Sequence, residues 1–354
     1  AGLEFLEHIH HFVSHNINEE ILWPFSILPA VKSEQDVPIA DYGISNLGLF
    51  KQLYRNGLSH RYGRTMQAIS GLHYNYSLPD SIWRSSFFED DKFDSRVIRS
   101  KGYFRMLRNI FRMNWLVLYL FGASPILTKD LLTKASEPFQ KLDNQTYYLP
   151  YATSLRMSDF GYQNLLRVTL NVSSGSLNDY ISDLNMATNT ISEGFQNIGN
   201  QRNTDQLQIN ANILQIDDEY YAVVRPKSKT ISNQRLISKL RQGGVDYIEL
   251  RSLDLNPFSR IGIDAETVYF LEVFLIYCFL NKSHLINQDE LKAIWDNDSL
   301  VAKRGRDPSL LLQKNKTSIS LQEWGKQIID EMMPVAELLD GEETVYRDMM
   351  CKIA

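Results

Sequence analysis

Apolar residues recur at three- and four-residue spacing over residues 2–16, 47–60, 95–121, 178–196, 264–281, 288–295 and 320–353, and each stretch predicts a helix. Asp264 is placed to cap the helix that follows it. That helix is apolar nearly all round, so it is expected to be buried. Alternating patterns mark residues 70–78, 207–216, 220–225 and 245–253 as strands, with polar loops at 171–177, 197–206 and 226–234. Helices and strands do not alternate in regular βαβ units, which predicts an α+β fold with a largely antiparallel sheet. No fixed-period repeat, low-complexity tract or linker divides the chain.

Three of these strands pair an apolar face with an unusually polar one. His73, Asn75 and Ser77 alternate with Leu72, Tyr74, Tyr76 and Leu78. Gln208, Asn210 and Asn212 oppose Leu207, Ile209, Ala211 and Ile213. Glu249 and Arg251 share a face with Tyr247, while Ile248 and Leu250 point away. Burying such polar groups without partners costs ~1–3 kcal/mol each, so the faces must meet water, other polar groups or a ligand. An open, solvated sheet is the plainer alternative. His73 and Glu249 can each ligate a divalent cation, yet one imidazole and one carboxylate do not complete a site.

The 354 residues are 44% apolar and 22% charged, as in an ordinary globular protein with a sizeable core. Net charge is −5 and no long basic block occurs, which argues against a nucleic-acid binder. Arg105, Arg108 and Arg112 fall at helical spacing and read as a solvated face. His8, His11 and His15, with His10 beside them, read as a His-rich surface helix rather than a metal site, and Glu4 and Glu7 as ordinary first-turn acids. Cys278 and Cys351 are too few for a disulfide framework, and Cys278 lies in an apolar run as a small buried hydrophobe. The apolar runs 115–121 and 273–280 are too short to span a bilayer, and no signal-like segment opens the chain, so a cytoplasmic location is expected. Ala1 stands first and helical periodicity starts at once, which reads as a cropped or processed product. P-loop, dinucleotide and nucleophile-elbow motifs are absent, so any nucleotide phosphates would be gripped by metals and by Arg and Lys side chains.

Several longer runs resemble the proteobacterial class of glutamate–cysteine ligases. They include Tyr42-Gly43-Ile44-Ser45-Asn46-Leu47-Gly48, Met66-Gln67-Ala68-Ile69-Ser70-Gly71-Leu72-His73-Tyr74-Asn75 and Tyr148-Leu149-Pro150-Tyr151-Ala152-Thr153-Ser154-Leu155-Arg156-Met157. Further along come Leu207-Gln208-Ile209-Asn210, Arg225-Pro226-Lys227 and Gly243-Gly244-Val245-Asp246-Tyr247-Ile248-Glu249-Leu250-Arg251-Ser252-Leu253-Asp254. The similarity runs in order from about Trp23 to Arg306.

The resemblance implies a glutamine-synthetase-like fold, a curved and mainly antiparallel sheet flanked by helices, with 1–354 as a single catalytic domain truncated at both ends. It implies ATP-dependent joining of the glutamate γ-carboxylate to the cysteine amine through a γ-glutamyl phosphate, the first step of glutathione synthesis. Glutamate, cysteine and ATP are then the small-molecule partners, with Mg2+ as cofactor and neither nucleic acid nor membrane involved. By the same resemblance Glu249 and His73 are magnesium ligands, Glu249 and Arg251 are catalytic, and Arg251 holds the transferred phosphoryl group. Gln67 lines the amino-acid site. Tyr54, Leu58, Arg156, Tyr162 and Tyr221 form the cysteine pocket, with Arg225 and Lys227 on the nucleotide side. Relatives carry a glutamate-rich strand upstream of the matched region that supplies most magnesium carboxylates. The chain by itself is therefore expected to be inactive, and its parent protein active. The alternatives are a related ligase with another amine acceptor, or a binding module that kept the fold and lost the metals. An amide hydrolase on this scaffold would lack an identifiable nucleophile.

Overall fold

The computed structural model describes residues 2–84, 94–134, 137–161, 170–199, 201–202, 205–229 and 234–354. Its longer helices are α1 (Gly2–Asn16), α2 (Asn46–Tyr62), α3 (Ser95–Phe121), α4 (Leu177–Asn189), α5 (Leu236–Gly243), α6 (Ala265–Leu280), α7 (Gln288–Arg304), α8 (Leu321–Asp340) and α9 (Val345–Ile353). The central strands are β1 (Leu72–Tyr76), β2 (Val224–Lys227) and β3 (Tyr247–Leu253). They form an antiparallel sheet in the order β1-β3-β2. Shorter strands pair at Leu311–Lys314 with Thr317–Ser320, and at Thr146–Tyr148 with Ile126–Thr128 and Gln140–Lys141. The result is α+β, as the pattern of elements predicts.

The nearly all-apolar α6 lies at the centre. Phe270, Leu271, Val273, Phe274, Leu275 and Cys278 are fully buried, and burial pushes the Cys278 thiol well up. Asp264 caps α6 by accepting the Thr267 N–H at 2.8 Å. Helix α3 packs along α6 and across the back of the sheet, where Ile248 and Leu250 are wholly buried. Each large side chain sealed there contributes ~1.5–3 kcal/mol. Within this core the buried Asn109 donates to Cys278 O (2.9 Å) and Asn281 O (3.2 Å), satisfying carbonyls at the end of α6. The apolar back of the sheet is thereby fixed against helices, which leaves the polar front open.

Several sequence-based expectations shift. No strand occupies 207–216. Its polar residues serve local backbone instead: Gln208 donates to Phe195 O and Gly199 O, Asn210 to Gln215 O, and Asn212 to Thr188 O. Amide side chains offer such alternatives to a strand ladder, and alternation alone does not reveal them. The strand expected at 220–225 starts later, at Val224, and runs to Lys227. The helix from 288 continues to Arg304, and the one expected over 178–196 stops at Asn189. Helix α5 falls in a region with no predicted element. The stretch 320–353 divides into α8 and α9 at Gly341, whose φ of 59° suits glycine far better than other residues.

Helix α1 forms over the predicted residues; none of them is buried, and Phe5 and Phe12 are exposed along with its histidine face. Of its histidines, His15 holds the helix's own backbone, Nδ1 donating to His11 O at 2.7 Å. The arginine stripe is not a solvated face: Arg108 is buried, and Arg112 is paired with Glu290 at 2.6 Å. Among the described residues no helix is long and apolar enough to cross a membrane.

Candidate active site

The polar front of the sheet forms the floor of a cleft of about 470 Å³. In register across the sheet, Glu249 on β3 pairs with Asn75 on β1 and Arg225 on β2, and Tyr247 pairs with Lys227. Paired residues of antiparallel strands point to one face, so Glu249, Arg225 and Lys227 converge. The β1–β3 register slips between Leu72 and Tyr74, where Arg251 and Ser252 together stand opposite His73. Such a bulge bends the strand and re-aims its side chains, and bulges are frequent beside active sites.

Glu249 is the hub of this floor. Its Oε1 lies 3.7 Å from His73 Nδ1, and its Oε2 lies 3.4 Å from Lys227 Nζ and 3.9 Å from Arg251 Nε. The Arg251 guanidinium sits 4.7 Å over the Tyr221 ring, within cation–π range. Burial lowers the pKa of His73, and the Arg251 charge adds to that. Lys227 is lowered by burial and then by Arg225, with Glu249 opposing the shift. The cations Arg225, Lys227 and Arg251 around the single carboxylate of Glu249 favour an anionic occupant.

One wall comes from α2, with Tyr54, Arg55 and Leu58, and from Gln67 beyond it, whose Nε2 donates to Arg55 O at 3.1 Å. Burial, then Glu219, pushes the Tyr54 hydroxyl far above its usual range, so it remains a neutral donor. A buried network ties α2 to the 208–221 segment. Arg61 pairs with Glu219 at 3.2 Å, both side chains at 0% exposure. Glu219 also accepts from Tyr62 OH (2.9 Å) and the Gln215 N–H (2.6 Å). Both carboxylate oxygens are thus engaged, the condition under which a buried ion pair is tolerable.

The opposite wall is held by Arg156, whose side chain is 3% exposed. Its Nε donates to Asp254 Oδ1 at 2.6 Å, Nη1 to Tyr221 OH at 3.0 Å, and Nη1 and Nη2 to Arg251 O at 3.3 Å. Arg156 is thus largely committed to protein, keeping little more than one Nη2 hydrogen for a ligand. Gly71 makes this possible: a Cβ there would stand 2.5 Å from Arg156 Cζ. Gly71→Ala is expected to cost ~1–3 kcal/mol through overpacking against a pinned guanidinium, measured by denaturant unfolding. An unchanged midpoint would mean that Arg156 moves freely.

The cleft therefore gathers ten side chains singled out in the sequence: Tyr54, Leu58, Gln67, His73, Arg156, Tyr221, Arg225, Lys227, Glu249 and Arg251. Tyr162 lies outside the described residues. Arg55, Asp218 and Glu219 line the cleft too and were not anticipated. The acidic run Asp217-Asp218-Glu219 before Tyr220-Tyr221 is the signal that could have found two of them. Asp254 closes a sequence run already singled out, but its role appears only through Arg156.

Magnesium asks for near-octahedral oxygen ligation. His73 and Glu249 offer one nitrogen and one carboxylate that already faces two cations. Among the described residues no group of three His, Cys, Asp or Glu is placed to hold a metal ion. These residues alone do not fit a complete magnesium site.

A helix-backed antiparallel sheet with a cation-rich polar front defines an α+β protein suited to small anionic molecules. The chain belongs to the glutamate–cysteine ligase family, whose profile matches residues 1–301. It is 41% identical over 343 residues to a glutamate–cysteine ligase of Janthinobacterium sp. strain Marseille, covering 97% of this chain and 65% of that protein. A Yersinia enterocolitica glutamate–cysteine ligase is 40% identical over 353 residues, covering 99% and 68%. The crystal structure of a Francisella tularensis glutamate–cysteine ligase in complex with AMP superposes with TM-score 0.91 at 34% identity, covering 98% of this chain and 68% of that one. A bifunctional glutathione synthetase from Pasteurella multocida shares the fold at TM-score 0.70 and 22% identity, over 98% of this chain and 39% of that one. The chain spans 63 to 65% of the length of the Janthinobacterium and Pseudomonas relatives it matches.

Proposed function

We propose that this protein performs the ATP-dependent ligation of glutamate, through its γ-carboxylate, to the amine of cysteine. The observation that carries this reading is the convergence of Arg251, Lys227, Arg225 and Glu249 on one sheet face beside Tyr54, Leu58, Gln67, Arg156 and Tyr221, in a chain of this family. The AMP in the Francisella tularensis relative supports a nucleotide as co-substrate. Ligases of this family generally use a divalent metal as well. Two unpaired cysteines suit a reducing cytoplasm.

The chemistry runs in two steps. A γ-carboxylate oxygen attacks the γ-phosphorus of ATP, the bond to the bridging oxygen breaks, and ADP leaves with that electron pair. The cysteine amine then attacks the acyl carbon, phosphate departs with the electrons of the C–O bond, and the amine proton passes to solvent. Phosphoryl transfer needs placement and charge neutralisation more than a nucleophilic side chain. Arg251, braced on Tyr221 and Glu249, is assigned to the transferred phosphoryl group, which its planar fork suits. Lys227 and Arg225 are assigned to the nucleotide side, with Arg225 anchored by Asp217 O and by Asp218. Tyr54, Leu58 and Tyr221 enclose the small cysteine side chain, and Arg156 shapes that wall while offering its remaining N–H to a carboxylate.

The test is ADP release by the full-length protein with magnesium, ATP and glutamate, with and without cysteine. Turnover should depend strongly on cysteine. Release that is indifferent to cysteine but responds to another amine would replace the acceptor, and no amine-dependent release at all would sink the ligase reading.

A further inference from the structure

The charge in this fold that the cleft does not explain is the arginine stripe of α3. Arg112 is answered by Glu290. Arg108 is not answered by any carboxylate among the described residues. It is 6% exposed, and it donates only to neutral oxygens, from Nε to Ser283 Oγ (3.0 Å) and from Nη1 to Ser174 O (3.0 Å) and Gly175 O (3.1 Å). Burial lowers its pKa, and the neighbouring charges of Arg112 and Arg105 lower it further. Its Nη2 makes no hydrogen bond among the described residues and is not sealed from solvent. Arg105 makes no ion pair among the described residues either. Buried positive charge without a counter-charge is unfavourable, and an anion beside it would remove the penalty.

Space for that anion is present. Arg105 and Arg108 line a groove of about 600 Å³ between α3, the start of α4 and the end of α5, with Arg96 and Arg241 also lining it. It shares no lining residue with the cleft. Asp94 is the one carboxylate lining it among the described residues, and Arg96 holds that carboxylate at 2.5 Å. The carbonyl end of α5, which would repel an anion, is covered: Gln242 O accepts from Arg96 and Gly243 O from Arg99. The opening turn of α4 lies in the same groove through Ser176, Leu177 and Asn178, while its first-turn Asp179 carboxylate accepts from Ser176 Oγ at 2.7 Å and does not line the groove.

We propose that this groove is a second ligand site, separate from the cleft, for a small phosphate-bearing molecule held by Arg105, Arg108 and Arg241. Guanidinium forks match phosphate oxygens in pairs, and a helix start adds backbone donors to the same group. The proposal does not depend on the ligase reading.

Inorganic pyrophosphate is the probe, titrated calorimetrically into the full-length protein carrying Lys227→Gln and Arg251→Gln, which removes the main cations of the cleft floor. Pyrophosphate should still bind, and adding Arg105→Gln and Arg241→Gln should weaken that binding about tenfold or more. Those two positions are not in the buried core, so folding is not at stake as it would be with Arg108→Gln. In the otherwise unaltered protein the Arg105→Gln/Arg241→Gln pair should leave turnover unchanged. No binding to the cleft variant, binding indifferent to the groove substitutions, or an equal response to chloride at matched ionic strength would each overturn the proposal.

Discussion

Arg251→Lys is expected to lower the turnover of the full-length protein about 10³-fold, with the KM for each substrate little changed. Three features of this position make the exchange severe. The guanidinium lies 4.7 Å over Tyr221, its Nε is 3.9 Å from Glu249, and the register slip opposite His73 bends its strand. A lysine keeps the charge and loses both the stacking plane and the paired donors, so it cannot neutralise two phosphoryl oxygens together. Folding should change by no more than about 2 kcal/mol, the worth of a largely desolvated cation–π contact that lysine keeps in part. Single-turnover rates and denaturant midpoints together check the expectation. Turnover within tenfold of the parent would remove Arg251 from the phosphoryl site.

Asp254→Ala is expected to show the opposite profile, a large loss of stability whatever the substrate. The Asp254 carboxylate is buried, accepts Arg156 Nε at 2.6 Å through Oδ1, and accepts the Ala123 N–H (2.9 Å) and Ser124 Oγ (2.6 Å) through Oδ2. Alanine would strand a guanidinium that is 3% exposed, together with two further donors. Breaking one side of a buried pair costs about 3–5 kcal/mol, because the surviving charge has no counterpart. The denaturant midpoint should fall at unchanged slope, and Arg156→Met in the same background should recover part of the loss. A midpoint that barely moves would show that water compensates Arg156, and that the wall of the cleft does not depend on this pair.

These two positions differ in how legible they are in the sequence. Arg251 stands two residues from Glu249 in a strand whose other face is Ile248 and Leu250, so alternation alone puts the pair on a polar face. The same alternation places His73 on such a face. That these faces meet in one cleft follows from pairing, which joins residues more than 170 positions apart, Asn75 with Glu249 for example. Tyr54, Leu58, Gln67, Arg156 and Tyr221 carry no local signal and enter only through the family resemblance. Asp254 lies within a run that carries the resemblance, but nothing local says that its partner is Arg156.

Residue order alone was enough to specify the central helix, the long helix behind the sheet, and the polar and apolar faces of β1 and β3. The reason is that these are local periodicities, in which each residue's side is set by its neighbours' spacing. The fate of polar groups away from such patterns was settled by long-range packing instead. Residues 207–216 alternate like a strand, yet their amides find backbone partners nearby and no ladder forms. Arg108 reads as solvated, yet packing buries it against the turn after α6 and the turn before α4. A charged or amide side chain takes its place from the partners that folding brings to it, and the chain's spacing carries no record of them.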